Sequence, residues 1–480
     1  MTPTSLRHNN AHRQPGSRTD ISSSQRRASK GSPRHSVAAT TMVGISLVGL
    51  IGGASASSAS PTKSAVSGNG TTGTLIVQVQ TGQQPQYACY IKEFNQLYPK
   101  VTVKTTAVSE IAKGSTNLEV LTSNGAPDIG TIPPESGIFS EMTAHHELVP
   151  LTSVWKEANL PGEYGSNSSG PYEVGGVPYL VSTDATLYND VYYNVALFKK
   201  LGIAVPPDHR LTSVSDLIGI TNTLNKAGYQ GIAIAGESGF QASWMIDSYL
   251  NTSATPAQYD DYLTSWEPTK PVTLPYTAAP FVNALDTIQA MGKAGVFQTG
   301  FLGVTLLAQA DALFVSGKAG MLLDGEWAAG TLKGDKVAFP YDWLLLPPVN
   351  GSTERNKLSL FVGDTIGIPT KAQNPAAALN FAELVSSPKG QYCDLAADEL
   401  PSIKSVPAAD YSMLPPVQQS QVADVKQNGS QYGWTSVVPG TVGATFTDPL
   451  VQAMLNGQYT PEQVAAKVQA NLLKQRAVKS

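Results

Sequence analysis

The order of elements after residue 72 predicts an α/β protein built as two lobes. Three observations carry that expectation. Strands and helices alternate from Thr74 onward, a similar grammar restarts after Tyr192, and about 410 residues remain once a low-complexity N-terminal stretch is set aside. That length exceeds what one hydrophobic core usually serves, and strand–helix–strand alternation implies a mostly parallel sheet covered on both faces.

The elements follow in order. Thr74–Gln80 is rich in branched residues and reads as a strand, followed by the turn Thr81-Gly82-Gln83-Gln84-Pro85. Tyr87, Ile91, Phe94 and Leu97 then recur at three- and four-residue spacing, which predicts a helix stopped by Pro99. Val101–Val108 is a second strand, and Ile129–Ile132 a third, after a helix ending near Asn124-Gly125. Past Tyr192, Ser213–Ala227 fits a helix with Leu217, Ile220 and Leu224 inward and Gly228 as its stop. The strand Gly231–Ala235 comes next. Near the end, Thr460-Pro461-Glu462-Gln463 combines an N-cap Thr, a Pro at the first helical position and a Gln at the third. Val464, Val468 and Leu472 line one face of the helix that follows. The sequence has no internal repeat.

The N-terminus reads as an address. Residues 1–36 carry seven Lys or Arg and one acid, Asp20, and an uncharged run from Val37 to Ile51 leads into Gly-Gly-Ala54-Ser-Ala56. A basic lead, a short apolar run and an Ala-x-Ala site are the parts of a secretory signal, here 1–56. The run is short and diluted with Gly, Ser and Thr, whereas a spanning helix needs about 20 mostly apolar residues. Residues 57–72 form a flexible tether of Ser, Ala, Gly and Thr. Taking the seven basic residues and one acid of the signal from totals of 32 and 36 leaves a formal net charge of −10. A mildly acidic mature chain offers no electrostatic footprint for nucleic acid or anionic membrane.

Several short segments occur in one fixed order: Ala126-Pro-Asp-Ile, Val177-Pro-Tyr, Tyr192-Tyr-Asn-x-x-x-Phe-Lys-Lys-Leu-Gly-Ile, Gly317-Lys-Ala-Gly-Met-x-x-x-Gly-x-Trp327, Asn374-Pro-x-x-Ala and Leu400-Pro. In this order the chain resembles the extracellular solute-binding proteins of ABC importers, specifically the maltose-binding-like group that captures carbohydrates. The resemblance implies a periplasmic-binding-protein-like fold whose lobes are discontinuous and joined by a hinge. Lobe 1 would be 72–185 plus 355–404 and lobe 2 would be 187–350 plus 407–480, with crossings near 184–188, 345–362 and 403–408. It further implies an exported receptor without chemistry of its own or a cofactor, monomeric, delivering a mono- or oligosaccharide to permease subunits. Relatives in bacteria with a single membrane are commonly lipoproteins with a Cys just after the apolar run, and this chain has none there. Its two cysteines, Cys89 and Cys393, are either one bridge or two small buried apolar residues. The resemblance places both in the first lobe, which favours a bridge.

Sugars present apolar C–H faces and rings of hydroxyls, so a site for them needs aromatic platforms and polar groups at loops beyond strand ends. Trp327 follows the strand Gly320–Leu323, and in relatives the aromatic at this position stacks on the sugar; the alternative is a core Trp. Trp244 and Phe240 sit in the loop after the strand ending at Ala235, where relatives often place aromatics, although Trp244 could equally begin a helix core with Met245 and Tyr249. Asp184 lies at the first crossover, where a carboxylate accepts two hydroxyls or instead caps local hinge backbone. Extra residues separate it from Tyr193-Asn194 relative to the tightest family pattern. Asp364, Glu135, Gln83 and Gln84 occupy first-lobe positions that reach the cleft in relatives, with solvent-facing loop residues as the plain alternative. Trp434 is a further candidate for lining the cleft. His145-His146 reads as a surface pair, because adjacent His point apart and no third ligand lies at metal spacing. No Gly-x-Ser-x-Gly, Walker-type or dinucleotide-type glycine motif is present. The rival reading is a secreted glycoside hydrolase, which needs two carboxylates about 5–10 Å apart flanking one bond; a non-sugar ligand is the alternative within the receptor class.

Overall fold

The computed structural model describes residues 70–109, 116–164, 170–237, 239–361 and 363–479. The expected signal region, 1–56, and the tether up to residue 69 lie outside the described residues. Gly73–Gln80 pairs in parallel with Val101–Val108, and Val77 bridges in parallel to Ile129. The intervening helix, Gln84–Leu97, buries Tyr87, Tyr90 and Phe94, while Leu97 remains 38% exposed. Tyr90 therefore takes the inward place expected of Leu97. The helix is turned so that Tyr90 and Phe94 meet Phe381 of the helix Pro375–Val385, with ring centroids 6.3 and 5.4 Å apart.

A second sheet of three strands sets Thr365–Gly367 antiparallel between Gly130–Thr131 and Leu180–Ser182. The largest sheet orders Gln431–Tyr432, Ser359–Phe361, Thr186–Asn194, Ala319–Gly325 and Gln230–Ala233, with Tyr341–Leu345 also paired to Thr186–Asn194. The expectation of a mostly parallel sheet is corrected here. Thr186–Asn194 runs antiparallel to Ala319–Gly325, Tyr341–Leu345 and Ser359–Phe361, and the parallel pairs are Gln230–Ala233 with Ala319–Gly325 and Ser359–Phe361 with Gln431–Tyr432. Parallel neighbours need a crossover connection, whereas a strand entering the sheet from another core can pair antiparallel without one.

Two large cores flank this arrangement. One holds Leu75, Tyr90, Ile129, Leu180, Leu187, Ile366 and Phe381; the other holds Val191, Leu217, Met245, Phe281, Leu323, Trp434 and Leu472. Core membership changes between Leu187 and Val191 and again between Tyr432 and Trp434. Along Tyr341–Leu345 it alternates residue by residue: Trp343 and Leu345 face the first core and Leu344 the second, as the two faces of one strand require. A smaller cluster around Tyr192, Phe314, Leu322 and Leu332 covers the other side of the large sheet. The helix Pro416–Asn428 spans the boundary: Val425 joins the first core, while Gln418 donates to Glu326 and Gln421 to Asp190.

Local signals hold where the caps are strongest. Ser213 caps Val214–Lys226 by accepting from the backbone N–H of Asp216. Thr460 and Gln463 exchange reciprocal side-chain-to-backbone bonds at the start of Pro461–Lys479, whose Val464, Val468 and Leu472 are fully buried. Cys89 and Cys393 are joined, with their Cα atoms 5.5 Å apart, tying the first helix to Pro388–Ala396. No helix among the described residues is long and apolar enough to cross a membrane.

Candidate functional site

The polar half of the site is built where the chain passes between the cores. The segment Ser182-Thr183-Asp184 runs beside Gly363-Asp364, and backbone and side chains interlock them. The Asp364 N–H donates to Asp184 Oδ1 at 2.6 Å, and the Thr183 N–H and hydroxyl donate to the Asp364 carbonyl at 2.8 and 2.9 Å. Ser182 Oγ donates back to the Asp184 carbonyl at 2.5 Å. Gly363 makes this approach possible: its φ is +82°, and a Cβ there would stand 1.8 Å from the Asp184 carbonyl oxygen. Gln83, just past the first strand, donates to Asp364 Oδ2. Gln83, Asp184 and Asp364, far apart in sequence, therefore form one shelf.

A buried polar network holds that shelf from below. Tyr90 donates to Asp394 and its hydroxyl lies 3.0 Å from the Thr183 carbonyl, while Gln86 donates to Asp394 at 2.8 Å. Gln391 reaches the Thr183 carbonyl at 3.1 Å. Burial pushes the Asp394 carboxyl well above the usual carboxylate range. The disulfide joins the residues immediately before Tyr90 and Asp394 and so braces this contact covalently. Burial likewise raises Glu399, helped by the negative charges of Glu326, Asp184, Asp394 and Asp364.

The aromatic half lies on the far side of the crossing, where Trp327 packs against the smaller cluster around Tyr192 and Leu322. Trp327 is half-buried just past Ala319–Gly325, and its ring lies across Gly325, where a Cβ would fall 1.9 Å from the indole. Trp244, half-buried in the first turns of Phe240–Ser253, stands perpendicular to Trp327 with centroids 5.8 Å apart. Phe240 and Tyr188 each meet Trp244 edge to face at 5.4 Å, and Tyr188 also meets Phe361 at 6.5 Å. Phe361 belongs to the strand leading to Gly363-Asp364, so the aromatic wall and the polar shelf are neighbours through one short segment.

Glu135 meets the other side of the boundary: a Cβ on Gly440 would lie 2.0 Å from its carbonyl oxygen. Its charge also contributes to the raised carboxyl of Asp448, pushed up to about 8 mainly by burial. Two candidates stand apart from both halves. Gln84 is exposed and accepts from the Gly82 N–H, closing the turn before the first helix. Trp434 is fully buried between Tyr276 and Phe281 and donates its indole N–H to the Tyr276 hydroxyl at 3.0 Å. It fills the second core instead of lining the cleft: as the first residue of the short helix Trp434–Val437 it packs its ring against Tyr276 and Phe281. His145 and His146 are both exposed, and no cluster of metal-ligating side chains occurs among the described residues.

Sequence reasoning missed Tyr188, which packs against Trp244, Phe361, which meets Tyr188 in turn, and Asn189, whose amide donates to the Trp244 carbonyl. The available signal was Asn189-Asp190 in the middle of the strand, because Asn tolerates the positive φ that a bulge can require. Pairing shifts register there: Tyr188 opposes Gly325, Asp190 opposes Asp324, and Asn189 is the extra residue, at φ +68°.

Residues 80–392 match the family described as bacterial extracellular solute-binding protein. A multiple sugar-binding protein of Streptococcus mutans is 22% identical over 344 residues, covering 70% of this chain and 76% of that protein. A structure from a study of xylan utilization by Caldanaerobius polysaccharolyticus matches with a TM-score of 0.70 at 20% identity, over 83% of this chain and 99% of that one. The GacH receptor of Streptomyces glaucescens, determined unliganded and with acarbose, matches with a TM-score of 0.66 at 18% identity, over 85% and 99% of the two chains. At these identities the structural likenesses establish a shared two-lobed fold.

Proposed function

The chain belongs to the bacterial extracellular solute-binding protein family, and from that membership we propose that it is the extracytoplasmic receptor of an ABC importer, closing its two lobes on a mono- or oligosaccharide and presenting it to permease subunits. The observation that carries the sugar reading is the pairing of the perpendicular Trp244–Trp327 wall with the Gln83–Asp184–Asp364 shelf. Apolar ring faces suit the C–H face of a pyranose, and fixed carboxylates accept its hydroxyls. Relatives described as binding multiple sugars and chitin oligosaccharide support the same ligand class.

In this reading lobe 1 is 72–185 with 355–404 and lobe 2 is 187–350 with 407–480. Trp327, Trp244 and Phe240 supply the platform; Asp184, Asp364, Gln83 and Glu135 supply polar contacts. Contacts to both lobes would favour the closed state over the open one, the hinge closure described for periplasmic binding proteins. Residues 1–56 direct export, and the mature chain acts as a monomer. A thermal-shift screen of the purified protein against malto-, xylo- and chito-oligosaccharides, raffinose and monosaccharides tests the reading. A ligand at a hundred times its dissociation constant stabilises by about 2.7 kcal/mol. A shift with one sugar series and no release of reducing ends is expected; turnover, or a response only to peptides or polyol phosphates, overturns it.

A further inference from the structure

The bulge in Thr186–Asn194 makes contacts that a structural irregularity alone does not require. Asn189, fully buried at φ +68°, donates its side-chain amide to the main-chain carbonyl of Trp244 at 2.7 Å and to Ser359 Oγ at 3.0 Å. The residue before it, Tyr188, lays its ring against Trp244 and donates its hydroxyl to Asp247 Oδ2 at 2.6 Å, one turn further along the helix that carries Trp244. Asp247 is held in turn by the Thr435 N–H at 3.0 Å and hydroxyl at 2.7 Å. The helix start offers little support of its own: Gly239 is the N-cap, at φ +84°, with no side-chain cap bond. Gln241 binds this first turn to the sheet by donating to the Leu323 carbonyl, but the Trp244 carbonyl is reached from outside the helix by Asn189.

We propose that Asn189, acting with Tyr188 and Asp247, is the positioning unit of the aromatic wall, fixing the angle at which Trp244 meets Trp327 and thereby the affinity of the site. The inference rests on the reading that this wall binds the ligand. Because Ser359 belongs to the strand that leads back to Gly363-Asp364, the same amide also ties the wall to the segment bearing the polar shelf. A bulge inserted into a strand re-aims neighbouring side chains, and a site is only as well defined as the shell that supports it.

Glycine separates the two roles of Asn189. Asn189→Gly retains a residue at ease at φ +68° and removes the amide. Near-UV circular dichroism of the full chain, without sugar, reports the packing of its six tryptophans, among them the Trp244–Trp327 pair; calorimetry with the best sugar of the panel reports affinity. The expected result is a changed near-UV tryptophan signal and about tenfold weaker sugar binding, with a normal far-UV spectrum. Tyr188→Phe, which keeps the ring and removes the hydroxyl with its bond to Asp247 and its contacts to Thr435 and Ser436, is expected to change the same signal to a smaller extent. It serves as the deciding variant if Asn189→Gly fails to fold. A wild-type near-UV spectrum in a folded variant, whatever its stability, overturns the proposal. If no sugar binds the wild type while the near-UV change appears, the sugar reading fails and the positioning role stands.

Discussion

The two halves of the site are held by different physics. The shelf of Gln83, Asp184 and Asp364 is fixed by hydrogen bonds that interlock backbone and side chains of two segments passing side by side, with a glycine at their closest approach. The wall of Phe240, Trp244 and Trp327 is fixed by edge-to-face packing, with side-chain bonds from Asn189, Gln241 and Tyr188 holding the helix that carries Trp244. A hydrogen-bonded shelf tolerates little displacement, because each shift leaves a buried donor or acceptor unpaired. A packed wall tolerates more, since aromatic contacts vary smoothly with angle and distance. Damage to the shelf should therefore appear first as lost stability, and damage to the wall first as lost affinity.

The harshest test of the shelf is its brace. Replacing Cys89 and Cys393 by Ala should cost about 2–5 kcal/mol by releasing a loop closed across 304 residues. Urea melts of the oxidised wild type and the double variant measure it; equal midpoints would show that the polar network alone suffices. Gly363→Ala attacks the shelf directly. A left-handed backbone costs an L-residue roughly 1–2 kcal/mol, and the overlap with the Asp184 carbonyl adds to that. Its melt should move clearly, and an unchanged melt would mean the two segments separate without penalty.

Trp327→Ala probes the wall. A half-buried indole serving as a platform should cost about 1.5–3 kcal/mol of binding, roughly ten- to a hundredfold in affinity, with a smaller change in stability. A core Trp would instead cost about 3–5 kcal/mol of stability, the outcome expected for Trp434→Ala. Calorimetry and urea melts on both variants separate these roles, and a Trp327 variant that behaves like the Trp434 variant would remove the wall from the site.

The remaining effect concerns pH. Asp247, beneath the wall, is pushed up to about 7 by burial, and Asp448 to about 8. A folded-state pKa above the unfolded value means the folded chain holds the proton longer. That stability is fully present below about pH 4 and is lost as pH rises through about 7 to 8. Thermal midpoints should accordingly be higher at pH 5 than at pH 8. Asp247→Asn, which keeps a neutral side chain there, should flatten that slope; an unaltered slope would assign it to other buried acids such as Asp394 and Glu399.

Much of this was legible along the chain. Branched runs and three- to four-residue spacing located the strand at Thr74, the helix over Tyr87 and Phe94, and the capped terminal helix, because those signals are satisfied by neighbours in sequence. The motif ending at Trp327 and the loop before Trp244 marked two residues that the fold sets perpendicular to each other. Trp434 was not legible, since a Trp beside a glycine turn looks the same whether it faces a cleft or a core. Nor was Asn189, whose role depends on a helix 55 residues away.

By itself the sequence determined the alternation of elements, their caps, the acidic balance and the ordered motifs that mark the family, all properties of local propensity and composition. Tertiary structure alone decided that Gln83 reaches Asp364 across 281 residues and that Thr186–Asn194 pairs antiparallel with three strands. These contacts join segments brought together only by burying two cores side by side, and no period or spacing in a linear chain encodes which distant partner a buried polar group will find.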